Sequence, residues 1–158
     1  MSACQPLDSP KGPLVSVDRV INGQVLEVVT PVGPPPGVYK VRLEGIDAPD
    51  LRQKPWGEDA KQYLNALIAN HPIRIEPARE LPDRYDRLWA YVWLDKKLLN
   101  EQLTAVGHAL VRHEQAVQLK YGKQLIRAQE RARLGGLGVW RPENPMRETP
   151  QEFRKHKQ

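Results

Sequence analysis

The sequence predicts an α+β protein, a five-stranded barrel of the OB type carrying three helices. Three observations lead there. Short apolar runs with strand character lie at 14–21, 24–30, 38–46, 73–76 and 88–94. An Asn22-Gly23 pair separates the first two runs and is the strongest short-range hairpin signal available. Helical spacing enters once between the third and fourth strands and takes over after the fifth, giving the order β-β-β-α-β-β-α-α.

Taken in order, residues 1–13 hold Pro6, Pro10 and Pro13 and read as an irregular leader. The first strand then runs into Asn22-Gly23, expected as a type I′ turn because both residues tolerate positive φ. Strand two returns over 24–30. Pro31, Pro34, Pro35 and Pro36 cannot sit inside a strand, so a stiff connection separates it from strand three at 38–46. Pro55 opens a helix reaching about Asn70, with Ala60, Tyr63, Leu64, Leu67 and Ile68 on one face. After the fifth strand, Asp95-Lys96 turns the chain into a short helix at 99–106 that Gly107 stops. The last helix, about 115–134, lines up Leu125, Ala128, Gln129 and Ala132 and ends at Gly135-Gly136. The domain is therefore expected over 14–140. Beyond it, 141–158 reads as a basic tail whose Arg154-Lys155-His156-Lys157 cluster is expected to be solvated and mobile.

A chain of 158 residues can bury a core without a disulfide or metal staple, and the single Cys4 excludes an internal disulfide. No segment approaches the roughly 20 apolar residues of a membrane span, and the first fifteen residues lack the apolar run of a signal peptide. The expected location is cytoplasmic. A net charge of +5 suits a polyanionic partner without demanding one.

Two segments carry the chemistry: Val41-Arg42-Leu43-Glu44-Gly45-Ile46-Asp47-Ala48-Pro49-Asp50 and Asp83-Arg84-Tyr85-Asp86-Arg87. Each sets an arginine near carboxylates at the end of an apolar, strand-like run. Positioned guanidinium groups stabilise charge on phosphoryl oxygens, so these are candidates for gripping a phosphodiester. With Ile21-Asn22-Gly23-Gln24-Val25 upstream, the three segments in this order resemble the staphylococcal nuclease (thermonuclease) family, whose signature reads D-G-D-T, R-L-x-x-I-D-x-P-E and D-x-Y-G-R. The resemblance spans about 14–140 and extends to Gly57-x-x-Ala60, Leu99-Asn100-Glu101 and Gly138-Val139-Trp140. It implies the same barrel topology.

The resemblance also implies roles. Arg42 and Arg87 match the two arginines that stabilise the transition state in family members. Asp47 matches the strand-end aspartate that binds calcium, and Gln24 stands where a second aspartate ligates it. Asp50 matches a glutamate implicated as general base. Tyr85 matches a tyrosine beside the substrate pocket, with Arg84 next to it. The departures cluster: Gln24 and Asn22 replace acids, Val25 and Ala48 replace threonines, Asp50 is one methylene short, and Asp86 replaces a glycine. Calcium takes about six to eight hard oxygens, and its affinity follows the charge of the set. The expectation is Ca2+ or another divalent ion, held weakly if at all by Asp47 and Gln24.

Alternatives stand beside each role. Arg42 can pair with Asp47 or Glu44, and Arg87 with Asp83, as structural ion pairs; Asp86 can pair with Arg84 or Arg87. Trp89, Tyr91 and Trp93 can stack bases, or pack beneath the C-terminal helix and Trp140. Tyr85 can stack a base or cover its turn. Where relatives place a nucleotide-stacking tyrosine the chain reads Val111-Arg112-His113-Glu114, with Tyr121 the nearest tyrosine. No histidine has zinc-site spacing. Two functions follow from this set of residues. The chain is a non-catalytic or weakly active module that binds nucleic acid or docks a protein, or it is an active metal-dependent endonuclease hydrolysing DNA or RNA.

Overall fold

The structure is a computed structural model and describes residues 12–30 and 37–157. The leader up to Lys11, with Cys4, and the proline-rich connection at 31–36 lie outside the described residues. Along the chain come β1 (Leu14–Asn22), β2 (Val25–Thr30), β3 (Gly37–Leu43), β4 (Ile46–Asp47), α1 (Trp56–Ile68), β5 (Ile73–Pro77) and β6 (Arg87–Leu94). These are followed by β7 (Lys97–Leu98), α2 (Leu99–Ala105), β8 (Leu110–Val111), α3 (His113–Ala116), α4 (Gly122–Leu134), a 3-10 turn (Gly138–Trp140) and α5 (Pro150–His156).

Strands β3, β2, β1, β5 and β6 pair antiparallel in that order, and β3 then runs parallel to β6, with Arg42 opposite Trp89. That last pairing closes the five-stranded barrel and leaves none of its strands as an open edge. The short β4 and β8 pair separately, Asp47 opposite Leu110. Leu26, Val41, Leu43 and Val92 fill the barrel, capped by Leu64 of α1, Leu99 and Leu103 of α2 and Leu125 of α4, all fully buried. Among the described residues, no helix is long and apolar enough to cross a membrane.

The hairpin falls where Asn22-Gly23 places it, but the turn is not type I′: neither residue has positive φ. The Asn22 side-chain oxygen instead accepts the N–H groups of Gln24 and Val25, both at 2.9 Å. Gly23 is needed for space. A Cβ there would stand 2.7 Å from the Ala60 methyl and 2.9 Å from that of Ala48, so α1 could not lie against the turn.

The single helix expected over 115–134 is two. The chain breaks at 117–121 because Tyr121 turns inward, its ring edge-on to Tyr91 at 4.7 Å and to Trp93 at 5.4 Å. These rings, with Leu98, form a second small core. Tyr91 and Trp93 thus pack beneath the start of α4, the packing alternative, with Tyr121 rather than Trp140 as their partner. The segment expected to be a solvated tail also differs: it carries α5, begun by a full capping box between Thr149 and Glu152 with Pro150 in the first turn.

Candidate functional site

The loop from β3 to β4 is organised by Asn100. Its buried side-chain amide donates to the Glu44 carbonyl at 2.8 Å while its oxygen accepts the Val92 N–H at 3.0 Å, tying the loop to β6. Leaving such a buried pair unmade would cost the full desolvation of both groups, so the pair resists rearrangement of the loop.

Arg42 is 3% exposed and points into this loop. Its guanidinium donates to the Leu43 carbonyl and to the Ile46 carbonyl, the latter at 2.7 Å, and lies 3.8 Å from an Asp47 oxygen. Burial pushes it down from the ordinary arginine range to about 9; Asp47 counters this, and Arg112 and Arg87 add to it. Glu44 is engaged elsewhere, by Arg79 at 3.1 Å and the Gly45 N–H. Of the two carboxylates open to Arg42, Asp47 is therefore the partner.

Asp47 itself is 8% exposed. Its Oδ2 accepts from Arg154 of α5 at 2.7 Å, across 107 residues of sequence, and its Oδ1 accepts no hydrogen bond among the described residues. The Gln24 side-chain oxygen accepts the Ala48 N–H at 2.6 Å, clamping the β2 start to the loop. Asp50 is held bidentately by Arg52, Nε to Oδ1 at 2.9 Å and Nη2 to Oδ2 at 3.1 Å. The side-chain bond from Arg52 is the main reason its carboxyl sits below the usual range. Gln53 then accepts the Asp50 N–H and donates to the Glu148 carbonyl at 2.9 Å, so the C-terminal segment is anchored to the same loop.

The second segment forms a turn around Asp83. That carboxylate accepts from the N–H groups of Tyr85 and Arg87, from Arg87 Nε at 2.8 Å and from Trp89 Nε1 at 2.8 Å. Burial alone would raise it; these donors outweigh burial and hold it well below the usual carboxylate range. Tyr85 is 59% exposed, its hydroxyl bonded to Arg84 at 2.7 Å, with the Arg84 and Arg87 cations 4.8 and 5.1 Å from its ring centre. Asp86 is exposed with φ of 60°, and among the described ion pairs it joins neither Arg84 nor Arg87.

The two segments meet at Trp89. Four guanidinium groups surround its buried ring, Arg79 at 3.8 Å, Arg42 at 4.5 Å, Arg112 at 5.2 Å and Arg87 at 5.9 Å. Beside them a cavity of about 420 Å³ opens between β8, α4 and α5, lined by Asp47, Arg112, His113, Gln129, Trp140 and Arg154 among others. Among the described residues, no group of three or more acidic, histidine or cysteine side chains is placed to hold a metal ion.

Sequence reasoning brought together Arg42, Asp47, Gln24, Asp50 and Arg87. It missed Arg154, Arg79 and Arg112. A signal for the first was present: Thr149-Pro150-Gln151-Glu152 has the residue types of a capped helix start.

The family model described as staphylococcal nuclease homologue matches residues 40–142. The thermonuclease of Staphylococcus hyicus is 30% identical over 129 residues, covering 78% of this chain and 73% of that protein. The thermonuclease of Staphylococcus intermedius is 30% identical over 135 residues, covering 82% and 77%. An uncharacterized endonuclease of Haemophilus influenzae is 33% identical over 116 residues, covering 73% of this chain and 60% of that protein. With a closed five-stranded barrel and both arginine-bearing segments inside the matched stretch, the chain belongs to the staphylococcal nuclease family.

Proposed function

We propose that this chain retains the nucleic-acid-binding face of the nuclease barrel, with the calcium-dependent cleavage of the family lost or greatly weakened. One observation carries the reading: the groups that would hold a calcium ion or activate a water are engaged by partners from their own chain, with Asp47 Oδ1 left without a hydrogen bond among the described residues. A calcium ion needs anionic oxygens free to turn toward it. Asp47 lies between two guanidinium groups, the Gln24 oxygen holds the Ala48 amide, and Asp50 is clasped by Arg52. The residues present do not fit calcium. Asp50 is also a poor general base while Arg52 stabilises its charged form and blocks both oxygens.

The same surroundings support binding. Exposed Tyr85, with the Arg84 and Arg87 cations over its ring, offers an aromatic, cationic surface to a nucleotide. We read 14–140 as the binding domain and 141–158 as a segment appended to it.

The competing reading is an active metal-dependent endonuclease. The relatives named thermonuclease favour it, as do the retained Arg42, Asp47 and Arg87 and the acid at Asp50. It requires Asp47 to leave Arg154 and Asp50 to leave Arg52. Plasmid and single-stranded oligonucleotide cleavage, with calcium or magnesium, separates the two. Binding without cleavage is the expected result, with Gln24→Asp the variant that returns a negative charge to the site. Calcium-activated cleavage that Arg87→Ala abolishes would establish the endonuclease instead. If neither cleavage nor binding occurs at low salt, the barrel is a protein-docking module.

A further inference from the structure

Residues 143–157 lie beyond the stretch that the family model matches, and they cross back over the site. The crossing is anchored at several points: the Met146 N–H donates to the Val139 carbonyl at 2.9 Å, Gln53 holds the Glu148 carbonyl, and Phe153 lies 5.3 Å under the Arg52 cation. The Thr149–Glu152 capping box then starts α5 and aims Arg154 at Asp47.

We propose that Arg154 is the built-in cation of this site, set at Asp47 where the family places a metal, and that with Arg112 it forms a metal-free seat for a nucleic-acid phosphate. This rests on the nucleic-acid-binding reading above. A guanidinium has five donors in a planar fork, so one edge can hold a carboxylate while the other meets a phosphate oxygen. Arg154 uses 2.7 Å of contact on Asp47 and keeps its side chain 40% exposed, with Asp47 its only carboxylate among the described ion pairs.

The neighbours point to an anion. Arg112 lines the same cavity and joins no described ion pair, whereas the other three cations on Trp89 each have a carboxylate: Arg42 has Asp47, Arg79 has Glu44 and Arg87 has Asp83. Glu114 is the other acid on the wall; it is exposed, so solvent and salt screen it. Asp47 is already shared between Arg42 and Arg154. A phosphate in the cavity would pair the cation that has no carboxylate. A guanidinium cannot activate a water as a metal does, so such a seat grips without cutting.

Fluorescence anisotropy with a labelled single-stranded oligothymidylate at low salt, in EDTA and in calcium, tests this. The wild type should bind equally in both. Arg154→Ala and Arg112→Ala should each weaken binding about tenfold, the scale of a lost charge-assisted phosphate contact. Lys155→Ala, also on α5, should cost less than about threefold, as expected of a general surface charge. Arg112 is outside the C-terminal segment, so it decides the matter if Arg154→Ala detaches α5; circular dichroism and melting report that. Binding that is unchanged or tighter in Arg154→Ala with α5 in place makes the segment a lid and overturns the proposal. So does an unchanged Arg112→Ala, or wild-type binding that calcium tightens. No wild-type binding at all sinks the nucleic-acid reading itself.

Discussion

Arg42 on β3 and Arg87 at the start of β6 lie on neighbouring parallel strands, Arg42 opposite Trp89 and Arg87 opposite Lys40, yet they live in opposite environments. Arg42 is sealed, donating to two carbonyls of its own loop, with burial lowering its pKa to about 9 while it stays charged at neutral pH. Arg87 sits on a turn with about a quarter of its side chain exposed, held from one side by Asp83. The same residue type in the same motif set is thus a strut in one place and an available cation in the other. Motif matching reports which side chain is present; what that side chain can still touch depends on how its neighbours have already used its hydrogen bonds.

The sharpest break of this contrast is Arg42→Ala. It strips two buried carbonyls of their donor, takes a cation from the face of Trp89 and leaves Asp47 with Arg154 alone. Removing one partner of a buried pair costs about 3–5 kcal/mol, a large share of the about 5–15 kcal/mol that holds a domain together. Denaturant unfolding should therefore show a loss of about 4 kcal/mol. A loss under about 1 kcal/mol would show that Arg42 is not a strut.

Next comes Asp83→Asn, expected to cost about 2 kcal/mol at neutral pH because four donors converge on that carboxylate. Its sign with pH follows from the depressed carboxyl. The folded state holds the ionised form more strongly than the unfolded chain, whose aspartate titrates near about 3.9. The contribution is therefore complete above about pH 5 and lost as pH falls through the unfolded and then the folded value. Asp83→Asn should flatten the acid limb of a stability-against-pH curve; an acid limb unchanged from wild type would remove Asp83 from the centre of the turn.

Arg87→Ala reads the other half of the contrast. Asp83 keeps Trp89 and two backbone donors, so stability should fall by only about 1 kcal/mol. Oligonucleotide binding should weaken about fivefold or more, and its salt slope should shrink by about one unit. Equal binding by the variant would leave the Tyr85 surface without its cation.

How much of this could be read in the sequence depended on the range of the interaction. The order of the strands and the Arg87–Asp83 pair, one of the alternatives for Arg87, rest on patterns within short stretches, where periodicity and spacing speak directly; the choice between Asp47 and Glu44 for Arg42 stayed open because Arg79, 35 residues away, decides it by taking Glu44. The Arg154–Asp47 contact spans 107 residues, and no local pattern records that the two meet. The helix break at 117–121 was hidden for a related reason: Tyr121 leaves the helical register to reach Tyr91 and Trp93 on a distant strand. Asn22-Gly23 shows a subtler limit. The hairpin was legible, but its turn type was set by the Asn22 side chain and by the closeness of Ala60 and Ala48.

The smallest expected effect, and the finest test of the turn, is Asp86→Gly. Asp86 occupies φ of 60°, where a Cβ is strained, although aspartate tolerates this region better than most residues. Glycine relieves that strain but gives the unfolded chain more freedom to lose, and the two nearly offset. The Asp86 N–H bond to the Asp83 carbonyl at 2.9 Å survives the change, so the turn should keep its shape. The net gain should be about 0.5 kcal/mol or less. Binding should tighten about twofold, because a negative charge leaves the surface beside Arg84 and Arg87. A destabilisation above about 1 kcal/mol would mean that the Asp86 side chain, rather than Asp83, shapes the turn that presents Arg87.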